Sequence, residues 1–246
     1  MDTELLVHGI HATCAALAQG RVQVLWLDGS RRDPRLQMLR EAAAAIPCHE
    51  IERKMLDRMV PGARHQGVVA RCVGQPILDE NDLSAFLKIL SDPPFLLVLD
   101  GVQDPHNLGA CLRSADAAGV HAVIAPRDRA AGITSVVRKV ASGAAEVVPF
   151  VQVTNLARVL RALKADGIWV AGTDSNAPLS LHQANLTGPL ALVMGTESQG
   201  LRRIVIEHCD FLVHIPMLGS VESLNVSVAT GICLFEALRQ RQAAHR

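Results

Sequence analysis

The 246-residue chain is 49% hydrophobic and 20% charged with a formal net charge of zero, apolar enough for one large core or two smaller ones and not basic enough to bind nucleic acid by bulk charge alone. No stretch reaches the ~20 apolar residues of a membrane helix, and the N-terminus "MDTELLVHGI" has no basic segment ahead of an apolar run, so a cytoplasmic location is expected. Cys14, Cys48, Cys72, Cys111, Cys209 and Cys233 lie far apart with no C-x-x-C pair, which predicts reduced thiols and argues against a disulfide or zinc framework.

In chain order, "GIHATCAALAQG" has helical spacing, "VQVLWLDGS" reads as a strand and turn, and "RLQMLREAAAAI" is helical again. "PCHEIERKMLDRMV" follows as strand and helix, and "HQGVVARCV" as a last strand. These define a small α/β unit over residues 1–76. The acidic stretch at residues 77–93 begins after Gly74 and Pro76 and ends in a Pro-Pro pair, and it is expected to be a linker.

From residue 94 the alternation is more regular. "FLLVLDGV", "VHAVIAP", "VVPFVQV", "IWVAGTD", "LALVMG" and "FLVHIP" read as strands, with helices at "NLGACLRSADAAG", "TSVVRKVASGAAE", "NLARVLRALKADG" and the C-terminus. Continuously apolar strands separated by helices predict a parallel sheet covered on both faces. Ligands in such sheets bind beyond the carboxyl ends of the strands, so the loops after Val102, Asp174, Gly195 and Pro216 are the places to look for chemistry.

Three of these loops carry polar groups in quantity. "DGVQDPHNLGACLRSADAAG" offers Asn107 as a helix cap and Arg113 about two turns in; "LVMGTESQGLRR" places Glu197 after Gly195; "IPMLGSVESLNVSVATGICLFEAL" gathers Ser220, Glu222, Ser223, Asn225 and Ser227 between a strand and a helix. Taken singly, each is also explained as ordinary capping or a glycine-rich turn. Together they supply a cation, a carboxylate and neutral donors at the same end of one sheet, which is a site inventory. No G-x-G-x-x-G, no G-x-x-x-x-G-K-[ST] and no metal-spaced His or Cys cluster is present, so a dinucleotide-dependent oxidoreductase is disfavoured and no metal is expected.

The three motifs resemble those of the SpoU family of RNA ribose 2'-O-methyltransferases, a branch of the SPOUT superfamily that uses S-adenosylmethionine. "GIHA", "HQGVVARC" and "FLLVLDGVQDPHNLGACLRSADAAGVHAVI" are similar to the branch that methylates a guanosine ribose in 23S ribosomal RNA during large-subunit rRNA processing. The resemblance implies an α/β chain in three parts. Residues 1–76 would be an RNA substrate-binding domain like ribosomal protein L30e, residues 77–93 a linker, and residues 94–246 a SPOUT domain with a parallel sheet and a trefoil knot. Transfer RNA as substrate, or a non-catalytic RNA-binding protein of the same fold, stand as alternatives.

By the same resemblance, Gly195, Ile215, Met217 and Leu224 hold S-adenosylmethionine, with Gly219 letting the backbone approach it, and Asn107, Arg113, Glu197, Ser223 and Asn225 form the catalytic set. A free guanidinium, with a pKa above about 12, is an awkward base. Arg113 is therefore read as gripping an RNA phosphate, with Glu197 either accepting the proton or orienting Arg113. In the N-terminal unit Arg31, Arg32 and Arg35 cluster in one loop and Arg53, Lys54 and Arg58 in another; they read as phosphate contacts or as a solvated surface. With 3% aromatic residues, structured RNA recognised by shape is favoured over base stacking on a single strand. The last helix has a stripe of Leu224, Val228, Ile232, Phe235 and Leu238, with Val226, Cys233, Ala229 and Gly231 widening the apolar surface beyond one face. Together with the dimers of the family, this predicts a homodimer.

Overall fold

The computed structural model describes residues 4–196 and 199–244. The chain divides into two compact units, one up to Pro76 together with Ser142–Val147, the other Ile77–Ala141 with Val148 onward.

The smaller unit runs β1 (Glu4–His8), α1 (Ile10–Ala18), β2 (Val22–Asp28), α2 (Pro34–Ala42), β3 (Cys48–Ile51), α3 (Arg53–Met59) and β4 (Val68–Val73). Its sheet has the order β1-β4-β2-β3, with β4 antiparallel to both neighbours and β3 parallel to β2. The core is built from Leu25, Leu36, Leu39, Val68, Ala70 and Cys72. β1 carries too short an alternation to announce itself in sequence; its pairing with β4, from Glu4 opposite Val73 to His8 opposite Val69, defines it. Asp33 caps α2 by accepting from the Arg35 N–H at 3.0 Å, and Pro34 takes the first helical position, where its missing N–H costs nothing.

The larger unit contains α4 (Glu80–Lys88), β5 (Phe95–Leu99), α5 (Pro105–Ala117), β6 (Ala122–Pro126), α6 (Ser135–Ala141), β7 (Phe150–Val153), α7 (Leu156–Ala165), β8 (Trp169–Thr173), β9 (Leu179–Ser180), β10 (Leu190–Met194), α8 (Arg203–Ile206), β11 (Phe211–His214) and α9 (Val226–Ala244). All pairings in its sheet are parallel, in the order β7-β6-β5-β10-β8-β11-β9. Chain order runs outward from β5 to β7, then crosses to β8, and β10 returns to fill the slot between β5 and β8. That reversal is a topological switch point. One face of the sheet is covered by α4, α7 and α8 through Leu83, Leu156, Leu160, Leu163 and Val205; on α5 pack both α6 and α9. Gly109 permits the α5–α6 approach, since a Cβ there would lie 2.7 Å from the Val140 Cβ.

Two stretches differ from expectation. Residues 77–93, expected as a linker, hold α4, whose first turn is a capping box: Asp79 accepts from the N–H groups of Asn81 (2.7 Å) and Asp82 (3.0 Å), and Asp82 accepts from the Asp79 N–H at 2.9 Å. The acidic residues that look like linker composition are the charge a helix N-terminus favours, and Leu83 is buried in the core of the larger unit. The helix expected to run through Glu146 stops at Ala141, because Ser142 (φ 53°) and Gly143 (φ 104°) turn left-handed.

Candidate active site

The helix that carries Asn107 and Arg113 is capped by Asp104, whose carboxylate accepts from the His106 N–H at 2.9 Å, with Pro105 at the first position. Asn107 is therefore not the cap expected from sequence. It sits one turn inside and accepts a hydrogen bond from Asn225 Nδ2 at 3.0 Å. Asn225 is itself the cap of α9: its Oδ1 accepts from the Ser227 N–H (2.9 Å) and Oγ–H (2.6 Å), and its carbonyl accepts from the Ala229 N–H (2.9 Å). With the oxygen committed to its own helix, the amide nitrogen is left to face Asn107. Farther along the same helix pair, Cys111 meets Thr230 at 3.5 Å, and a Cβ on Gly231 would lie 3.6 Å from Ser114 Oγ. Arg113 projects from another face of α5; it is exposed and has no hydrogen-bond or ion-pair partner among the described residues.

Beside this junction, a cavity of about 370 Å³ opens at the carboxyl ends of β8, β10 and β11. Gly195, Ile215, Met217 and Leu224, which the resemblance assigns to the methyl donor, line it together with Ser223. Asp174, Ser175 and Asn176 line it too. Asp174 marks a loop expected to carry chemistry, but Ser175 and Asn176 are not singled out by the sequence; the polar run "DSN" directly after a strand is the available signal. Thr196 and Gly200 exchange backbone hydrogen bonds of 3.0 and 2.9 Å, and a Cβ on Gly195 would collide with the Gly200 carbonyl, so this wall admits only glycine at Gly195. The fully buried Asp100 carboxylate fastens the far end of the loop, accepting from the Arg202 N–H (3.0 Å), Nε (2.7 Å) and Nη2 (2.6 Å). Gly219, expected to permit a close backbone approach, has open space where a Cβ would be and is exposed. Glu197 lies outside the described residues.

Comparison with known proteins shows the family. A family model described as "SpoU rRNA Methylase family" matches residues 94–235, and one described as "RNA 2'-O ribose methyltransferase substrate binding" matches residues 6–76. The chain belongs to the SpoU rRNA methylase family. It is 54% identical over 240 residues to the 23S rRNA (guanosine-2'-O-)-methyltransferase RlmB of Pseudomonas putida, covering 96% of each chain. To RlmB of Escherichia coli it is 54% identical over 240 residues, covering 96% of this chain and 98% of the other. The crystal structure of the SpoU methyltransferase AviRb from Streptomyces viridochromogenes in complex with AdoMet matches with a TM-score of 0.78 and 28% identity, over 98% of this chain and 91% of that one.

In this SpoU methylase the basic residues of the smaller unit are distributed unlike their sequence clusters. Arg31, Arg35 and Arg53 line one cavity together with Arg64. Arg32 lines a second concavity with Arg31, Arg40 and Glu50, while Lys54 and Arg58 are exposed on α3. On α9, Val226, Thr230, Cys233, Leu234 and Ala237 are buried, while Val228 (51% exposed) and Phe235 (49% exposed) lie open. No helix among the described residues is long and apolar enough to cross a membrane, and among them no group of His, Cys, Asp or Glu could hold a metal.

Proposed function

We propose that this chain transfers a methyl group from S-adenosylmethionine to the 2'-oxygen of a guanosine ribose in 23S ribosomal RNA, in the cytoplasm. The observation that carries the reading is the meeting of residues 194–196, 215–217 and 223–224 at one cavity, in a chain 54% identical over nearly its whole length to enzymes named for that reaction. The cavity suits an adenosyl group: its volume of about 370 Å³ is within the range of small-ligand sites, Ile215, Met217 and Leu224 supply apolar surface, and the backbone at Gly195 supplies polar edges. S-adenosylmethionine, when bound there, would supply an electrophilic sulfonium methyl.

The protein's own residues then position and deprotonate the acceptor. Asn107 and Asn225, locked to each other, hold donors and acceptors at the mouth of α9 beside Ser223. Arg113 binds an RNA phosphate next to the reactive ribose, which lowers the entropy of in-line approach, and Glu197 takes the proton or orients Arg113. Arg31, Arg32, Arg35, Arg53 and Lys54 add phosphate contacts from the smaller unit, for which an L30e-like fold is supported by its mixed four-stranded sheet with flanking helices. A trefoil knot in the larger unit is supported by the late insertion of β10 and the return of α9 onto α5.

The working form in this reading is a homodimer. The apolar Val228, Ile232 and Phe235 left open on α9 support a second copy as their cover. A two-fold contact of this kind brings the same patch against itself and would carry Arg113 toward the donor cavity of the other subunit. The test of function is ribose-methylation mapping of RNA from cells lacking this protein. Loss of one guanosine 2'-O-methyl in 23S rRNA, restored by the wild-type gene, is the expected result. Loss confined to transfer RNA, or no loss, would overturn it.

A further inference from the structure

A cavity of about 450 Å³ lies in the smaller unit, and its lining is dominated by arginine: Arg31, Arg35, Arg53 and Arg64, with Asp57, His65 and Gln66. Three separate segments deliver these groups: the approach to α2, the start of α3 and the loop before β4. Asp33 holds two of them in place by accepting from Arg31 Nη2 at 3.0 Å and Arg35 Nη2 at 2.9 Å. Arg53 and Arg64 have no ion-pair partner among the described residues.

The floor is built from the chain itself. His65 is 3% exposed; the Gly67 N–H donates to its Nδ1 at 3.1 Å, which leaves the ring proton on Nε2, facing Asp57 Oδ1 at 2.9 Å. Gln66, with φ 55°, accepts from the Ile10 N–H at 3.1 Å. A left-handed non-glycine residue is uncommon and persists when its surroundings hold it there. The segment directly after Arg64 is therefore fastened at two successive residues. Four guanidinium groups facing one space repel one another, and Asp57 is the single carboxylate in the lining. An anion entering that space removes the repulsion, and guanidinium forks match phosphate oxygens.

We propose that this cavity is a docking site for a backbone phosphate of the RNA substrate, with Arg53 and Arg64 as its direct contacts and Arg31 and Arg35 as pre-set flanking charges. This rests on the reading of the chain as an RNA methyltransferase and deepens it, because Arg64 and the His65–Asp57 floor join residues that the sequence shows only as separate clusters. The site positions RNA without reading its bases.

The test measures binding of a 23S rRNA fragment as a function of salt for the full chain and for Arg53→Ala, Arg64→Ala, the double variant and Asp57→Asn. Arg161→Ala, which removes the same charge from an exposed face of α7, is the reference. Arg53→Ala and Arg64→Ala should each weaken binding about tenfold and lower the salt slope by roughly 0.7 to 0.9, and the double variant should lose less than the product of the two. Asp57→Asn keeps an acceptor for His65 but removes a negative charge, and should tighten binding. Circular dichroism and thermal melts close to wild type in every variant verify that the smaller unit is folded. If Arg53→Ala and Arg64→Ala behave as Arg161→Ala does while the wild type binds RNA, the cavity is not a phosphate site; weakening by Asp57→Asn would overturn it as well, in favour of a base edge at Asp57. A wild-type chain that neither binds nor methylates the fragment would instead sink the underlying function.

Discussion

Two faces of one helix, α5, are completed in different ways. The face bearing Asn107, Cys111 and Ser114 is finished within the chain by Asn225, Thr230 and Gly231 of α9. The face bearing His106 and Arg113 is exposed. Folding therefore pairs the two amides, whereas Arg113, the proposed cation, is exposed with no partner among the described residues. An amide pair preorganised by a helix cap costs nothing further when substrate arrives. A long, exposed arginine must be ordered by its target, and that ordering is where an RNA phosphate or a second subunit can exert control.

The largest effect should come from the exposed face. Arg113→Ala is expected to lower methyl transfer by about 100- to 1,000-fold, the range for losing one preorganised donor to a transition state, with S-adenosylmethionine affinity unchanged by calorimetry. Lysine at the same position should not restore it, because it lacks the planar fork. Turnover near wild type in Arg113→Ala would place the essential cation elsewhere and erase the contrast between the two faces.

Mixing sharpens the comparison further. If Arg113 serves the donor cavity of the other subunit, an inactive Arg113→Ala chain mixed with a Leu224→Arg chain, which blocks the donor cavity, should recover part of the activity in mixed dimers. A fully active monomer in sedimentation would refute both the dimer and the shared site. A dimer without recovery would refute only the sharing.

The inward face predicts smaller changes, seen in stability. Asn225→Ala removes the α9 cap and the bond to Asn107, and should cost about 1 kcal/mol, or roughly 2–4 °C in Tm for a chain of this size. Asn107→Ala removes the amide–amide bond but leaves the α9 cap, and should cost about 0.5 kcal/mol. Thermal melts that rank the two the other way would mean that the Asn107 contact, and not the cap, anchors the start of α9.

Much of the fold was legible because its signals are local. Runs such as "FLLVL" and "LALVM" are apolar throughout since both faces of the sheet are covered, and they read as buried parallel strands. Elements were missed where the local signal was weak or shared: β1 and β9 are short, α8 is a single turn, and the acid-rich start of α4 has the composition of a linker and of a capped helix alike. The candidate site stands in the sequence as three motifs, yet Asp104 rather than Asn107 is the cap, because both residue types cap helices and only the backbone shows which one stands at the first turn.

By itself the sequence determined the alternation of strands and helices, the absence of nucleotide-cradle and metal motifs, and the three polar loops whose order and spacing resemble the SpoU family. Tertiary structure decided what meets what. It seated β10 between β5 and β8, turned the Asn225 amide toward Asn107, set Arg113 on the open face, and drew Arg31, Arg35, Arg53 and Arg64 from separate segments into one cavity. The division has a physical cause. Periodicity and capping are written over three to seven consecutive residues, whereas the convergence of groups tens of residues apart depends on sheet order and on which faces are buried, and no local pattern encodes that.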